Sequence, residues 1–113
     1  MKIMKEIKAF IRPSKVVSIV EQLKANGFEN ITLSEAEGTG KFQDENAFVS
    51  QKFSVTDSKI AKLELVADDK EVDKIIEIIS ENGKTLNPGD GLIYVACVEK
   101  AYRVKTGKTN GNK

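Results

Sequence analysis

The sequence has 113 residues, a typical length for a single domain. Its 18 basic and 17 acidic side chains give a net charge of +1, so it lacks the basic excess expected of a nucleic-acid-binding protein. The absence of histidine argues against zinc sites and histidine-based catalysis, and a lone cysteine excludes an internal disulfide. With no membrane-length apolar run and no signal-peptide pattern, we expect a cytoplasmic protein with no direct membrane insertion and no metal of its own.

The first half of the chain predicts a strand, a helix and a second strand. Residues 3–12 alternate in polarity, with Ile7, Ala9 and Ile11 on one face, and Pro13 ends this strand. Ser14 is expected to cap a helix that runs to about residue 26 and ends before Gly27. The predicted apolar stripe of this helix contains Val16, Val17, Ile19, Val20 and Leu23. A second strand is expected over about 31–37.

Residues 41–58 show no clean period, although a partial strand over 47–55 is one interpretation. Such a long irregular segment inside a compact domain is usually functional or disordered. It contains three phenylalanines, which suggests that it packs on something at least part of the time: Phe42, Phe48 and Phe53.

The second half repeats the strand–helix–strand order. A strand is predicted over 60–67, and Asp68 or Asp69 is expected to cap a helix that ends at Gly83. The predicted stripe of this helix is Val72, Ile75, Ile76 and Ile79. A fourth, apolar strand follows over 92–98, within which we expect Cys97 to be a small buried hydrophobe. The polar tail 108–113 is expected to be flexible.

This order of elements predicts an α+β protein, the ferredoxin-like βαββαβ sandwich with a long loop after the second strand. The two helices cover one face of the sheet. The other face also carries apolar side chains, among them Phe10, Ile60 and Val66. Because nothing in the chain is left to cover that face, we expect a homo-oligomer.

A candidate anion site lies in the C-terminal third. Gly89-Asp90-Gly91 leads into the fourth strand, and Arg103 and Lys105 follow that strand on alternate positions. Glycines let backbone N–H groups approach a phosphate, arginine offers a planar fork of donors and lysine a point charge. The same glycines and aspartate are also ordinary residues of a plain turn into a strand. No acid–base pair or activated nucleophile accompanies them, so an enzyme is not expected.

Several strings resemble the PII signal-transduction family in the same order along the chain. They are Ile11-Arg12-Pro13, residues 31–40 (ITLSEAEGTG), residues 62–66 (KLELV), residues 89–95 (GDGLIYV) and residues 103–107 (RVKTG). The resemblance covers nearly the whole chain, and the last two strings are the most specific. It implies a homotrimer that binds an adenine nucleotide (ADP, ATP or AMP) in each cleft between subunits.

The resemblance also assigns the segments. It implies one domain over 1–107, with a T-loop at about 41–58, a B-loop at about 84–91 and a C-loop at about 99–107. The T-loop would dock on a protein target such as a membrane transporter or metabolic enzyme through Phe42, Phe48 and Phe53. The implied nucleotide-binding residues are Thr32, Gly38, Thr39, Gly40, Lys41, Glu64, Val66, Gly89, Asp90, Gly91, Leu92, Arg103 and Lys105. We expect the stretch 87–107 to form one wall of the cleft, with residues 32, 40, 41, 64 and 66 forming the other.

The chain departs from the family pattern where phosphates would bind. Two lysines usual in the family's B-loop are absent: Leu86 and Asn87 follow Thr85, and Leu92 stands at the last lysine position. ADP or AMP is therefore expected to compete better against ATP than in standard members. Phe42 stands where the family has a glutamine, which argues against binding of 2-oxoglutarate. The alternative is a degenerate trimeric interaction module that no longer binds nucleotide.

Overall fold

A computed structural model describes residues 3–39 and 58–109. The predicted strand over 47–55 and residues Gly40, Lys41, Phe42, Phe48 and Phe53 lie outside these ranges. The described elements are β1 (Met4–Ile11), α1 (Val16–Ala25), β2 (Thr32–Gly38), β3 (Ser58–Asp68), α2 (Val72–Gly83) and β4 (Gly91–Val98). A single 3-10 turn precedes each helix, at Pro13–Lys15 and Asp69–Glu71.

The four strands form one antiparallel sheet in the order β2-β3-β1-β4. Each strand–helix–strand half crosses over, so the two central strands, β1 and β3, lie side by side. This order and the two helices confirm the predicted α+β ferredoxin-like fold.

The core lies between the helices and one face of the sheet. Ile7, Ala9 and Ile11 alternate along β1 and are buried, as the period of two predicted. They pack against the apolar stripes of both helices. The fully buried large side chains are Ile7, Ile19, Leu23, Leu63, Ile75 and Ile79.

Both helix starts differ from the prediction. Neither Ser14 nor the two aspartates makes a capping hydrogen bond, because a 3-10 turn is inserted before each α-helix. The cap positions of α1 and α2 are instead Lys15 and Glu71. The polar residues before each helix therefore lie in a tighter turn. The cap of α1 is one residue later than expected, and that of α2 is two or three residues later.

The helix stripes are confirmed in part. Val17 was expected in the core but is 68% exposed, since it lies beside Val16 rather than one turn away from it. In α2, Ile78 is buried although the predicted stripe omitted it, and Ile76 is partly buried. The ends are as predicted: α2 finishes at Gly83, and Gly27, just past α1, has a positive φ of 90°.

The expectation that Cys97 is buried is wrong for this chain. Cys97 is exposed, because β4 is an edge strand and the helices do not reach across it. Cys97 pairs with Lys5 across the β1–β4 ladder, and the Lys5 ammonium donates a hydrogen bond to its sulfur at 3.1 Å. This bond raises the pKa of Lys5. Val95, on the same face of β4, is also largely exposed.

The second sheet face, which we call the open face, carries apolar and aromatic side chains. The rings of Phe10 on β1 and Tyr94 on β4 meet edge to face, with centroids 5.8 Å apart. Leu92, Tyr94 and Val66 are each more than half exposed. An apolar surface of this kind is typical of an interface between proteins.

Candidate functional site

One end of the sheet forms a groove of about 720 Å³ that brings together four predicted site residues. Thr32 on β2 and Glu64 on β3 stand directly opposite each other across the β2–β3 ladder. Val66 lies two residues further along β3 on the same open face, and Arg103 reaches the groove from beyond β4. The turn after α1, from Gly27 to Asn30, lines the same space.

A short hairpin carries Arg103. The Arg103 N–H donates to the Lys108 carbonyl at 2.9 Å, and the Gly107 N–H donates back to the Arg103 carbonyl at 2.8 Å. Tyr102 and Thr109 pair at its open end, and Gly107 turns the chain with a φ of 67°. The expected boundary between C-loop and tail thus falls inside the hairpin, because Lys108 and Thr109 close it. Lys105 lies exposed at its turn.

The charge of the groove is mostly negative. Among the described residues that line it, five are acidic and only Arg103 is basic; the acidic ones are Glu6, Glu29, Glu64, Asp68 and Glu71. The Lys62 ammonium lies 3.8 Å from Glu64 and compensates that one carboxylate in part. Carboxylates accept hydrogen bonds and repel anions. The groove therefore suits groups that donate hydrogen bonds, such as amines and hydroxyls, better than it suits a phosphate.

The opposite end of the sheet holds the glycine loop, by which we mean residues 84–90 between α2 and β4. Gly89 and Gly91 both have positive φ, 90° and 116°. A Cβ on Gly91 would overlap the backbone carbonyl of Phe10, because β4 begins tightly against the end of β1. Only glycine fits there without displacing that backbone.

Asp90 is turned into this loop rather than out of it. Its carboxylate accepts hydrogen bonds from the Thr85 N–H at 2.7 Å, the Thr85 hydroxyl at 2.6 Å and the Arg12 Nε at 2.9 Å. These donors, those of Thr85 above all, lower the pKa of Asp90 to about 2. The carboxylate of Asp90 thus holds the loop together, and its expected place among the nucleotide-binding residues stays a prediction.

Two positions where the family carries lysine are apolar or neutral here and face outward. They are Asn87, which is exposed, and Leu92, which is 56% exposed. The loop's own lysine, Lys84, lies 3.4 Å from a carboxylate oxygen of Glu81. Among the described residues, the positive charge available to an anion at this end is therefore low.

Within one chain, the residues expected to form the two walls of the inter-subunit cleft lie at both ends of the sheet, and the cleft itself stays a prediction. The stretch 87–107 is divided between the two ends, since Gly89 and Gly91 lie at one and Arg103 at the other. Gly91 is in register with Ile11 and Ala61, whereas Val66 is five residues further along β3, which is about 17 Å at the usual strand rise. Gly38 and Thr39, at the far end of β2, lie on the same side as the glycine loop.

The prediction missed Arg12 and Thr85 as parts of the site. Arg12 contacts Pro88 and Asp90 of the glycine loop, which follow it in the sequence by 76 and 78 positions. The available signal was its place directly after β1 and before Pro13, which points it towards the sheet end where β4 begins.

Metal and membrane features were searched for in the described ranges. No group of three or more Cys, Asp or Glu side chains there is arranged to hold a metal ion. Within the same residues, neither helix has the length and apolar character needed to cross a membrane.

A ferredoxin-like sandwich with a glycine loop at one end and a ligand-sized groove at the other defines a small ligand-binding protein. The family profile of nitrogen regulatory protein P-II matches residues 4–108. The chain belongs to this family. Its members are regulatory proteins, in line with the expectation that the chain is not an enzyme.

Similar proteins match over almost their full length. The nitrogen regulatory protein P-II of Rhodospirillum rubrum is 34% identical over 110 residues, which is 96% of this chain and 98% of the relative. That of Haemophilus influenzae is 36% identical over 108 residues, covering 95% and 96%. Among solved structures, Arabidopsis thaliana PII bound to citrate has a TM-score of 0.76 and 25% identity, with 95% of this chain and 88% of the other covered.

Proposed function

We propose that this protein is a nucleotide-sensing regulator that binds an adenine nucleotide between subunits and controls a target protein. The observation that carries the proposal is the groove lined by Thr32, Glu64, Val66 and Arg103, four residues that the sequence resemblance implies for nucleotide binding. Its donors and acceptors suit a nucleobase and a ribose. The glycine loop at the other end offers backbone N–H groups suited to phosphate.

The proposed binding site needs two subunits. Along the strand direction, Glu64 and Val66 lie three and five residues from the level of Gly91, which is about 10 and 17 Å. We infer that one nucleotide would use the groove of one subunit and the glycine loop of a neighbour. The apolar open face, with Leu92, Tyr94 and Val66 exposed, supports such association. A homotrimer is the assembly that the family resemblance implies.

The charges favour a short phosphate chain. Two unit charges 4 Å apart interact by about 4 kcal/mol at an effective dielectric of about 20, so each missing lysine weakens the binding of outer phosphates most. In this chain Leu86, Asn87 and Leu92 occupy the region where those lysines are expected. We therefore expect ADP and AMP to compete well against ATP.

The segment 41–58, with Phe42, Phe48 and Phe53, is the proposed docking loop. Its target would be a membrane transporter or a metabolic enzyme reached from the cytoplasm. Bound nucleotide would favour one loop conformation over others, which is a population shift. We expect 2-oxoglutarate with Mg-ATP to leave nucleotide affinity unchanged, and a synergistic increase would contradict this.

Isothermal titration with ATP, ADP and AMP tests the proposal. We expect one site per subunit, and weaker binding in Arg103→Gln and Glu64→Gln. Lys24→Gln on α1 is the matched control, because it removes one exposed positive charge from a residue that lines neither the groove nor the glycine loop. If none of the three nucleotides binds at millimolar concentration, the sensor function is refuted, and the alternative of a trimeric interaction module that no longer binds nucleotide takes its place.

A further inference from the structure

Arg12 joins the end of β1 to the glycine loop at two points. Its Nε donates to Asp90 Oδ1 at 2.9 Å, and its Nη2 donates to the Pro88 carbonyl at 2.8 Å. These two acceptors stand on either side of Gly89. Only 14% of the Arg12 side chain is exposed, so the guanidinium is packed into this position rather than moving in solvent.

The loop closes on itself around the same carboxylate. Both Asp90 oxygens accept from Thr85, one from the backbone N–H and one from the hydroxyl. The Thr85 hydroxyl oxygen also accepts from the Asn87 N–H at 3.0 Å. Arg12 therefore connects the internally hydrogen-bonded loop to the end of β1. The positions of Gly89 and Gly91 depend on this connection.

The charge of Arg12 is compensated by Asp90 at 2.9 Å. An ion pair of this kind adds little net attraction for a phosphate, because the carboxylate cancels the guanidinium at a distance. Any influence of Arg12 on phosphate binding must therefore act through the shape of the loop.

We propose that Arg12 is a positioning residue for phosphate recognition: through Asp90 and the Pro88 carbonyl it holds the backbone N–H groups of the glycine loop in place. The part that concerns phosphate rests on the proposed function. The part that concerns loop order does not, and it is measurable in the free protein. The two contacts come from different nitrogens of the planar guanidinium, so we expect a lysine, whose donors all lie on one nitrogen, not to reproduce both in this geometry.

The experiment compares wild type with Arg12→Lys, Arg12→Gln and the control Lys24→Gln. Hydrogen exchange over residues 84–91 of the free protein reports loop order, and exchange in β1 and β3 reports whether the fold is intact. Titrations with ADP and with adenosine, which has no phosphate, separate phosphate recognition from base recognition.

In both Arg12 variants we expect faster exchange over 84–91 with β1 and β3 still protected. ADP affinity should fall about tenfold, the scale of losing one hydrogen bond to a charged group, while adenosine affinity stays within about twofold. Arg12→Lys is informative even if Arg12→Gln fails to fold, since it keeps the charge.

The outcomes separate the two proposals. Unchanged exchange over 84–91 in Arg12→Lys overturns the positioning role. Equal losses for ADP and adenosine also overturn it, since they indicate a general structural effect. If wild type binds no ADP, the proposed function fails, and the exchange data alone still decide whether Arg12 holds the loop.

Discussion

Replacing Gly91 by alanine tests the close approach of β4 to β1 most directly. The control is Gly27→Ala, because Gly27 also has a positive φ, 90°, but a Cβ there would have nothing within 4 Å. Backbone strain alone should cost about 1–2 kcal/mol at Gly27. At Gly91 the same strain is joined by overlap with the Phe10 carbonyl, whose carbon would lie 2.9 Å from the new Cβ.

That overlap involves backbone on a central strand, so it cannot be relieved by turning a side chain. The start of β4 must shift away from Ile11, and losing one backbone hydrogen bond there adds about 1 kcal/mol. We therefore expect Gly91→Ala to lower the free energy of unfolding by about 3 kcal/mol or more, a large part of the roughly 5–15 kcal/mol typical of a domain.

Urea unfolding followed by far-UV circular dichroism gives both values. All samples should have one protein concentration, because association stabilises the folded chain by mass action. If Gly91→Ala and Gly27→Ala agree within about 0.5 kcal/mol, the reasoning is refuted: the β1–β4 contact then relaxes freely and does not require glycine.

Three further predictions follow from the core, the loop and the open face. Because the folded-state pKa of Asp90 is lowered to about 2 from 3.8, its contribution to stability is complete above pH 3.8 and is lost as pH falls towards 2. Acid titration of unfolding should therefore be steeper in wild type than in Asp90→Asn, and identical curves would contradict the loop network. Leu63→Ala should cost about 2–5 kcal/mol and Val17→Ala less than about 0.5 kcal/mol in urea unfolding, since the first side chain is fully buried and the second is 68% exposed. Tyr94→Lys should shift the protein to a smaller species in light scattering at matched concentration, whereas Val104→Lys on the exposed hairpin turn should not; equal masses would exclude the open face as the subunit interface.

Local sequence patterns correctly predicted the features that depend on residues close in sequence, such as core positions along a strand and helix ends. The alternation along β1 placed Ile7, Ala9 and Ile11 in the core because a strand's side chains must alternate. Gly27 and Gly83 marked both helix ends for an equally local reason, the way a helix terminates. The order of strands and helices then left few topologies to choose from.

Positions that depend on distant elements were harder to predict. Cys97 lies in an apolar run, and nothing in that run says that β4 is an edge strand beyond the reach of both helices. The inward turn of Asp90 depends on Arg12, 78 residues earlier. The expected site residues are divided between the two ends of the sheet, and this division follows from strand register, which a sequence does not state.

The two edge strands of the described sheet, β2 and β4, differ in charge, and this difference bears on refolding. β2 carries Glu35 and Glu37, and like charges on an edge discourage another strand from pairing with it. β4 has eight residues and no charged side chain, and in the described sheet its sole partner is β1. In the described sheet, β4 is therefore the edge that is more open to pairing with another strand. We therefore expect refolding at high protein concentration to favour strand-to-strand aggregation along β4.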